Sequence, residues 1–518
     1  MNTFFLTELI PPSVNVSIIL PEMIVAVAGI AVMLYDSFFP KQRTVSGVIA
    51  IAGLVISGIV LATMWGGDLP ATSWNGMIAH DNLRLSFSFV FLFVSAMTVL
   101  ISTVWVEREN VPVGEYHALL LFATFGMMMM SAGNDLVVIF LGLETLSIAT
   151  YVMAGLRKAD LKSNESAMKY FILGSFASAF LLYGMALIYG ATGSTNLTQI
   201  AGTMTAPDSH VNFPALLLVG GAMMIVGFGF KIAMAPFHVW APDVYEGAPT
   251  PITGFMATGP KAAAFASFIR IFVLGLPLVA GVQSSEYLHM TWTSALAVMA
   301  IVTILVGNVA AIMQTNVKRM LAYSSIAHAG YALVGFIGAG MAKGDAARDA
   351  AIASVAFYML TYAVTNLGAF AIVTLLAQKN DRRCDFEDYN GIGFKSPVLS
   401  FSLSLFMLSL LGLPLTAGFM GKVLVFRPAL EAGNVLVTSL VVVAVIGSAI
   451  SAYYYLRLIV VMFFRERSTE WREPKMSPSM ATALIIAVLG VLYFGIFADR
   501  VIEKFAQSPS GVIVKADK

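Results

Sequence analysis

Gly227-Phe228-Gly229-Phe230-Lys231-Ile232-Ala233-Met234-Ala235-Pro236-Phe237-His238-Val239-Trp240-Ala241-Pro242-Asp243 is the stretch whose reading decides the fold. It closes a long apolar run, yet it holds a lysine and two prolines. A proline inside a helix removes a donor and clashes with the preceding turn, so one regular helix cannot pass through Pro236 and Pro242. A broken helix at membrane depth is tolerated where it is buried or lines a wet cavity. Lys231 sits just before the break, where freed carbonyls would solvate an ammonium. The alternative is a proline kink used only for packing, with Lys231 snorkelling to the interface, which is awkward for a residue so far inside the run. His238 follows seven residues after Lys231, either as a relay beside the break or as a satisfied core histidine. With no His or Cys at i+4 from it, a metal pair is not expected.

The rest of the chain matches this membrane reading. Its 518 residues are 58% hydrophobic and only 11% charged, with mean hydropathy +0.84, whereas soluble domains are about a quarter charged. That excludes an ordinary soluble protein, a disordered chain and a nucleic-acid binder. The formal net charge of +1 recruits no acidic partner. The single cysteine, Cys384, cannot make an internal disulfide, a cysteine-based zinc site or an iron–sulfur cluster. Apolar runs recur at 17–39, 46–65, 85–106, 116–133, 135–156, 165–190, 213–236, 250–280, 291–313, 320–340, 350–378, 397–426, 434–464 and 477–498. They are long and apolar all round, without the ten-residue alternation of lipid-exposed strands, so they predict an all-α polytopic membrane protein of about fourteen transmembrane helices.

A second interruption, Leu411-Gly412-Leu413-Pro414-Leu415-Thr416-Ala417-Gly418-Phe419-Met420-Gly421-Lys422, lies in the twelfth run. Paired interrupted segments point to an internal repeat. Spans 4–8 and 9–13 then form two five-span units, and an odd count per unit makes the repeat inverted, with broken helices 7 and 12. The expected organisation is 1–115 for spans 1–3, 116–280 and 291–464 for the two units, and 477–518 for span 14 and a short tail. Residues 1–16 lack Lys and Arg, so no cleavable signal is expected. Loops after odd-numbered spans, with Lys169 at the edge of span 6 counted among them, hold 17 basic residues against 4 in the alternate loops. The positive-inside rule therefore puts both termini on the outer side.

Five basic residues remain inside spans: Lys231, Lys261, Arg270, Lys422 and Arg457; among acids only Glu144 falls clearly within one. An ionisable group at that depth costs at least ~2.5–3.5 kcal/mol, so it faces a cavity, a partner or an ion path. Glu144 lies nine residues past Asp135, or about 14 Å along the helix and near the midplane. It reads as a proton-carrying or charge-tuning carboxylate, or else as half of a structural ion pair. Lys261 adjoins Pro260. His328 lies in Tyr323-Ser324-Ser325-Ile326-Ala327-His328, where hydroxyls would carry protons through water or simply join helices. Arg270 and Arg457 read equally as ion-pair partners or interface anchors, and 380–395 reads as a polar connection available for docking. Desolvation favours a neutral amine and a nearby carboxylate favours its ammonium. A carboxylate that moves relative to a lysine therefore loads and unloads it. With no nucleotide-binding loop, haem pair or metal cluster in the sequence, the residues suggest a proton translocator or cation/proton antiporter driven from elsewhere. A scaffold whose charges only tie helices together is the remaining reading.

The motifs Gly142-Leu143-Glu144-Thr145-Leu146-Ser147, Lys231 through Pro251, Lys318-Arg319-Met320-Leu321-Ala322-Tyr323-Ser324-Ser325-Ile326-Ala327-His328 and Gly412-Leu413-Pro414-Leu415-Thr416-Ala417-Gly418-Phe419 resemble the antiporter-like membrane subunits of respiratory complex I. The resemblance covers nearly the whole chain. It implies a paired site of Glu144 and Lys231, a connecting Lys261 with His238 alongside, Lys422 near the proton exit, and accessory acids Glu165 and Asp243. It also implies a bacterial inner-membrane complex whose FMN, iron–sulfur clusters and quinone belong to other membrane and peripheral subunits, with none in this chain. Within the family the longest homologue carries a C-terminal amphipathic arm, which this sequence lacks. The middle one has a glutamate where Lys422 stands. Subunits of multi-chain sodium/proton antiporters share the implied fold and are the main rival.

Overall fold

The computed structural model describes residues 14–40, 42–65, 69–205, 214–276, 283–467 and 474–506. Most of the 1–16 segment read above for a signal lies outside the described residues, as do Arg472, Lys515 and Lys518. In chain order the helices are α1 (Val16–Phe38), α2 (Arg43–Met64), α3 (Asn82–Glu109), α4 (Val113–Ala132), α5 (Leu136–Ala154), α6 (Leu161–Thr192), α7 (Leu197–Thr205), α8 (Pro214–Ile232), α9 (Trp240–Gly247), α10 (Thr250–Ile269), α11 (Gln283–Ile312), α12 (Val317–Gly340), α13 (Asp345–Leu376), α14 (Ile392–Lys395), α15 (Pro397–Leu411), α16 (Ala417–Glu431), α17 (Val435–Phe464), α18 (Pro478–Ile496) and α19 (Ala498–Ala506). A small hairpin, β1 (Thr72–Ser73) with β2 (Ile78–Ala79), precedes α3.

Among the described residues thirteen helices are long and apolar enough to cross a membrane. The short apolar α15, continued by α16 after a break, supplies the fourteenth crossing. All fourteen expected runs are therefore helical. Their ends are set by polar caps, because the first N–H groups of a helix need acceptors. Asp81, Asp135, Asp160, Asn316, Asn434 and Ser477 each accept from a backbone N–H at the start of α3, α5, α6, α12, α17 and α18.

α10, α12 and α13 are enclosed almost all round, whereas α1, α2, α6, α17 and α18 turn a wide apolar face outward. A lipid-facing helix keeps its apolar side chains outside, so the polar positions gather on the enclosed trio. The packing is doubled along the chain: α4 lies on α5 as α11 lies on α12, α6 on α8 as α13 on α16, and α4 on α10 as α11 on α17.

Two expectations are corrected. Arg84, counted above with the loops, lies in the first turn of α3 and is fully buried. It forms an ion pair of 2.7 Å with the equally buried Glu22 of α1 and donates to the Ile18 and Ala79 carbonyls. The Asp81 cap starts α3 earlier than hydropathy alone suggested. Nor is the 380–395 connection only a solvated surface. Cys384, Phe386, Tyr389 and Ile392 are buried, and Asp381 sits within 4 Å of Arg108, Arg157 and Lys318 and accepts from the Thr250 N–H. One carboxylate thus clasps α3, the α5–α6 turn, α10 and α12. Burial pushes its carboxyl up, but Lys318 and then Arg157 outweigh this and hold it below the ordinary 3.8.

Candidate functional site

Besides Lys318, which Asp381 holds at the start of α12, three lysines are buried among the described residues: Lys231 on α8 is 4% exposed, Lys261 on α10 is 2% and Lys422 on α16 is 6%. Two of them adjoin interrupted helices. The first break, 233–239, follows α8, where Ala233 takes φ +58°. The second, 412–416, separates α15 from α16, where Gly412 takes φ +97°. A side chain on Gly412 would be strained by that φ, and its Cβ would stand 3.4–3.5 Å from the end of Lys422.

The two breaks treat their lysines differently. Sequence reasoning expected freed carbonyls to solvate Lys231. Instead, the Phe230 carbonyl accepts from the Ala233 N–H and the Trp240 indole, and the Gly229 carbonyl from the Met234 N–H. The Lys231 ammonium makes no hydrogen bond among the described residues. It lies over two aromatic faces, 5.2 Å from the Tyr151 centroid and 5.3 Å from that of Tyr170. Tyr170 stacks on Trp240 at 4.6 Å. Tyr151 reaches this position over Gly174, where any Cβ would fall 2.0 Å from its hydroxyl. At the second break the carbonyls do reach the lysine. Lys422 donates to the Leu410 and Leu411 carbonyls (3.0 and 2.8 Å) and to Ser448 Oγ (2.7 Å), with the Tyr331 ring at 5.0 Å.

Lys261 lies between them and donates to Ser325 Oγ (2.6 Å) and the Ser325 carbonyl (2.8 Å). The adjoining Ser324 hydroxyl is 2.5 Å from the Tyr455 hydroxyl, which is 3.2 Å from His328 Nε2. His328 Nδ1 is 2.7 Å from the Tyr358 hydroxyl, and its ring lies 5.4 Å from the Tyr331 ring that faces Lys422. His328 therefore bridges two tyrosine hydroxyls, Tyr455 and Tyr358, one on each ring nitrogen, between the surroundings of Lys261 and Lys422, with no hydrogen bond from either hydroxyl to a lysine among the described residues. A neutral imidazole donates on one side and accepts on the other, so such a bridge passes a proton when its tautomer and the hydroxyls switch together.

The remaining expected residues fall into separate groups. Glu144 lies midway along α5 but without the expected enclosure. It is half-buried on an outward face of α5, between Leu141 (60% exposed) and Ile148 (59%), and accepts from Ser178 Oγ at 2.5 Å. Among the described residues it forms no ion pair within 4.0 Å. His238 lies at the rim of the first break beside the exposed Val239, and no lysine bonds to it. Glu165 and Asp243 share Lys169 (2.7 and 2.8 Å) in a surface network with Arg319, Glu246 and Lys162. There burial pushes the Asp243 carboxyl up, but Lys169 and Arg319 win and draw it below its ordinary value. Arg270 pairs with Asp81 (2.7 Å) and donates to the Ser131 carbonyl. Arg457 donates to the Ile312 and Gln314 carbonyls over the Phe386 ring. Both are thus structural fasteners. Sequence reasoning missed Tyr151, Tyr170, Tyr331, Tyr358, Tyr455 and Ser448. No spacing rule marks them, because their helices meet the lysines only in three dimensions.

A polytopic bundle with two interrupted helices and a buried lysine row defines an antiporter-like membrane protein. Residues 133–451 match the family model described as NADH:quinone oxidoreductase/Mrp antiporter, TM. NADH-quinone oxidoreductase subunit N of Trichlorobacter lovleyi is 42% identical over 96% of this chain and 97% of its own length, and subunit N 1 of Solibacter usitatus is 42% identical over 95% and 97%. A chain of respiratory complex I from Thermus thermophilus is 34% identical, with TM-score 0.76 over 93% of this chain and 98% of that one. A chain of the Mrp complex from Dietzia shares the fold alone, at 18% identity and TM-score 0.76 over 95% and 96%. The chain belongs to the NADH:quinone oxidoreductase/Mrp antiporter transmembrane family.

Proposed function

We propose that protons move along Lys231, Lys261, His328 and Lys422, with the tyrosine and serine hydroxyls beside them as intermediate carriers. The chain is an antiporter-like, proton-translocating subunit of NADH:quinone oxidoreductase and has no redox site of its own. The observation that carries the reading is that His328 stands between the surroundings of two buried lysines with a tyrosine hydroxyl on each ring nitrogen, groups able to both give and take a proton. Glu144 sits on the outer face of the bundle and acts as the charge that a neighbouring membrane subunit senses or shifts. Glu165 and Asp243, held by Lys169 near the basic side, are accessory, as is His238 at the rim of the break.

In this reading the excess of basic residues in the odd-numbered loops places those loops in the cytoplasm and both termini on the outer side of a bacterial inner membrane. FMN, iron–sulfur clusters and quinone reside in partner subunits, which supply the driving energy. The test is NADH-driven proton uptake in inverted vesicles carrying Lys261→Met. Uptake stops while NADH oxidation by an artificial acceptor continues. Uptake at the wild-type rate would sink the route. Sodium-dependent proton exchange without NADH, from a purified complex lacking flavin and iron–sulfur absorbance, would instead support the multi-chain sodium/proton antiporter.

A further inference from the structure

One buried amide stands outside the groups already assigned to the row. Asn366 lies inside α13, fully buried, and neither its Oδ1 nor its Nδ2 meets a hydrogen-bond partner among the described residues. A side-chain amide carries two donors and an acceptor oxygen, and interiors rarely leave such a group unpaired. Its direction follows from its neighbours, because residues four apart share a helix face. One turn before it, the Tyr362 ring lies 4.8 Å from that of His328 on α12. One turn after it, Phe370 packs on Gly254 of α10, where an added Cβ would fall 3.1 Å from the Phe370 Cβ. Asn366 therefore points into the junction of the three enclosed helices, α10, α12 and α13.

Lys261 occupies the same junction. α10 starts and α13 ends beside Asp381, so the two run antiparallel. Two turns along α10 from Gly254 comes Lys261, and two turns back along α13 from Phe370 comes Tyr362. Asn366 thus stands one turn, about 6 Å, nearer the basic side than that level. The Lys261 ammonium has three protons and gives two, both to Ser325; the third finds no acceptor among the described residues. The Tyr362 hydroxyl faces the same Ser325 without closing a hydrogen bond. The α10 face that carries Lys261 is otherwise small, with Gly254, Ala257 and Thr258, all buried. Orphaned donors and acceptors that converge beside small residues are the surroundings of a buried water, which makes about two to four hydrogen bonds to groups otherwise unpaired.

We propose, on the strength of the route through Lys261 given above, that Asn366 is a positioning residue whose amide, with the Tyr362 hydroxyl, holds a water that accepts the third N–H of Lys261. The amide changes no charge. It fixes the water, which takes the lysine proton as it gives one of its own to the Tyr362 oxygen, and that hydroxyl releases the proton it held.

The test is NADH-driven proton uptake in inverted vesicles, with NADH oxidation by an artificial acceptor and the thermal midpoint of the purified complex measured alongside. Asn366→Leu fills the space of amide and water with hydrocarbon, so uptake falls about tenfold while acceptor reduction and midpoint stay at wild-type values. Asn366→Ser keeps a group that holds water and retains more than about half of the wild-type rate. A purely structural asparagine predicts the reverse order, since serine leaves a larger hole than leucine. Wild-type uptake in Asn366→Leu, or slower uptake in Asn366→Ser than in Asn366→Leu, overturns the proposal. A density map of the intact complex that resolves ordered waters shows one between Lys261 Nζ and the Asn366 amide; protein atoms filling that position overturn it as well. Lys261→Met in the same vesicles separates the two levels. Wild-type uptake there sinks the route itself, whereas blocked uptake there beside an unaffected Asn366→Leu sinks only the role of Asn366.

Discussion

The two breaks in the bundle differ in what they do with their carbonyls. At 412–416 the interruption hands two carbonyls to Lys422, and Ser448 supplies the third acceptor, so all three ammonium protons are satisfied. At 233–239 the indole of Trp240 and two backbone N–H groups consume the carbonyls first, and Lys231 is left against the faces of Tyr151 and Tyr170. A broken helix is therefore not in itself a cation site. Whether it becomes one depends on which donors reach its carbonyls. Lys422 is held by hydrogen bonds wherever its surroundings move. The charge on Lys231 rests on weaker ring-face contacts, so it responds more to a distant carboxylate such as Glu144.

The largest expected effect tests that contrast. Lys231→Met and Lys422→Met each cut proton translocation at least about a hundredfold, yet they part in stability. Lys422→Met strands the buried Leu410 carbonyl, Leu411 keeping Ser448, at a cost of about 1–3 kcal/mol, visible as a lower thermal midpoint of the purified complex. Lys231→Met strands none and leaves the midpoint unchanged or raised. Equal destabilisation by the two would erase the difference between the breaks.

Asp381→Asn lowers stability by about 3–5 kcal/mol, because it leaves Lys318 buried without a carboxylate partner among the described residues and Arg157 with Asp160 alone. The folded Asp381 carboxyl titrates below the ordinary 3.8. The stabilisation is therefore complete above that value and is lost as pH falls through the lower folded one. Melting curves of wild type and variant should accordingly converge only in strong acid. A gap that closes near neutral pH would point to a different group.

Removing one hydroxyl from the bridge is milder. Tyr455→Phe slows proton uptake roughly fivefold, by about 1 kcal/mol, and leaves assembly intact; an unchanged rate would exclude the Ser324–Tyr455–His328 link. The smallest effect belongs to Tyr151→Phe, which keeps the ring face over Lys231 and changes uptake less than about twofold. Tyr151→Leu removes the face and costs about 1–2 kcal/mol at this desolvated site. If Phe were as damaging as Leu, the hydroxyl and not the ring would be what Lys231 needs.

Reading the sequence recovered most of the fold, because lipid imposes a simple rule. Runs of about twenty apolar residues must be helices, and proline pairs must break them. It missed the earlier start of α3 and hence the Glu22–Arg84 pair, since a capping aspartate extends a helix past its hydropathy edge. At the site it found each lysine, His328 and the place of Glu144 midway along its helix. It could not tell that Glu144 faces outward on α5, nor that His238, Glu165 and Asp243 stand apart from the row. Rotation about a helix axis is weakly encoded in a segment that is apolar on every side.

The sequence by itself determined that this chain crosses a membrane many times and that Lys231, Lys261 and Lys422 are kept inside it, because the cost of charge in hydrocarbon is large, local and readable one residue at a time. Only the tertiary structure decided which groups surround them: aromatic faces at Lys231, a serine at Lys261, carbonyls and a serine at Lys422, and two tyrosine hydroxyls on His328. Those partners come from helices far apart in the chain, and a hydrogen bond depends on distances of a few tenths of an ångström that no spacing along one helix specifies.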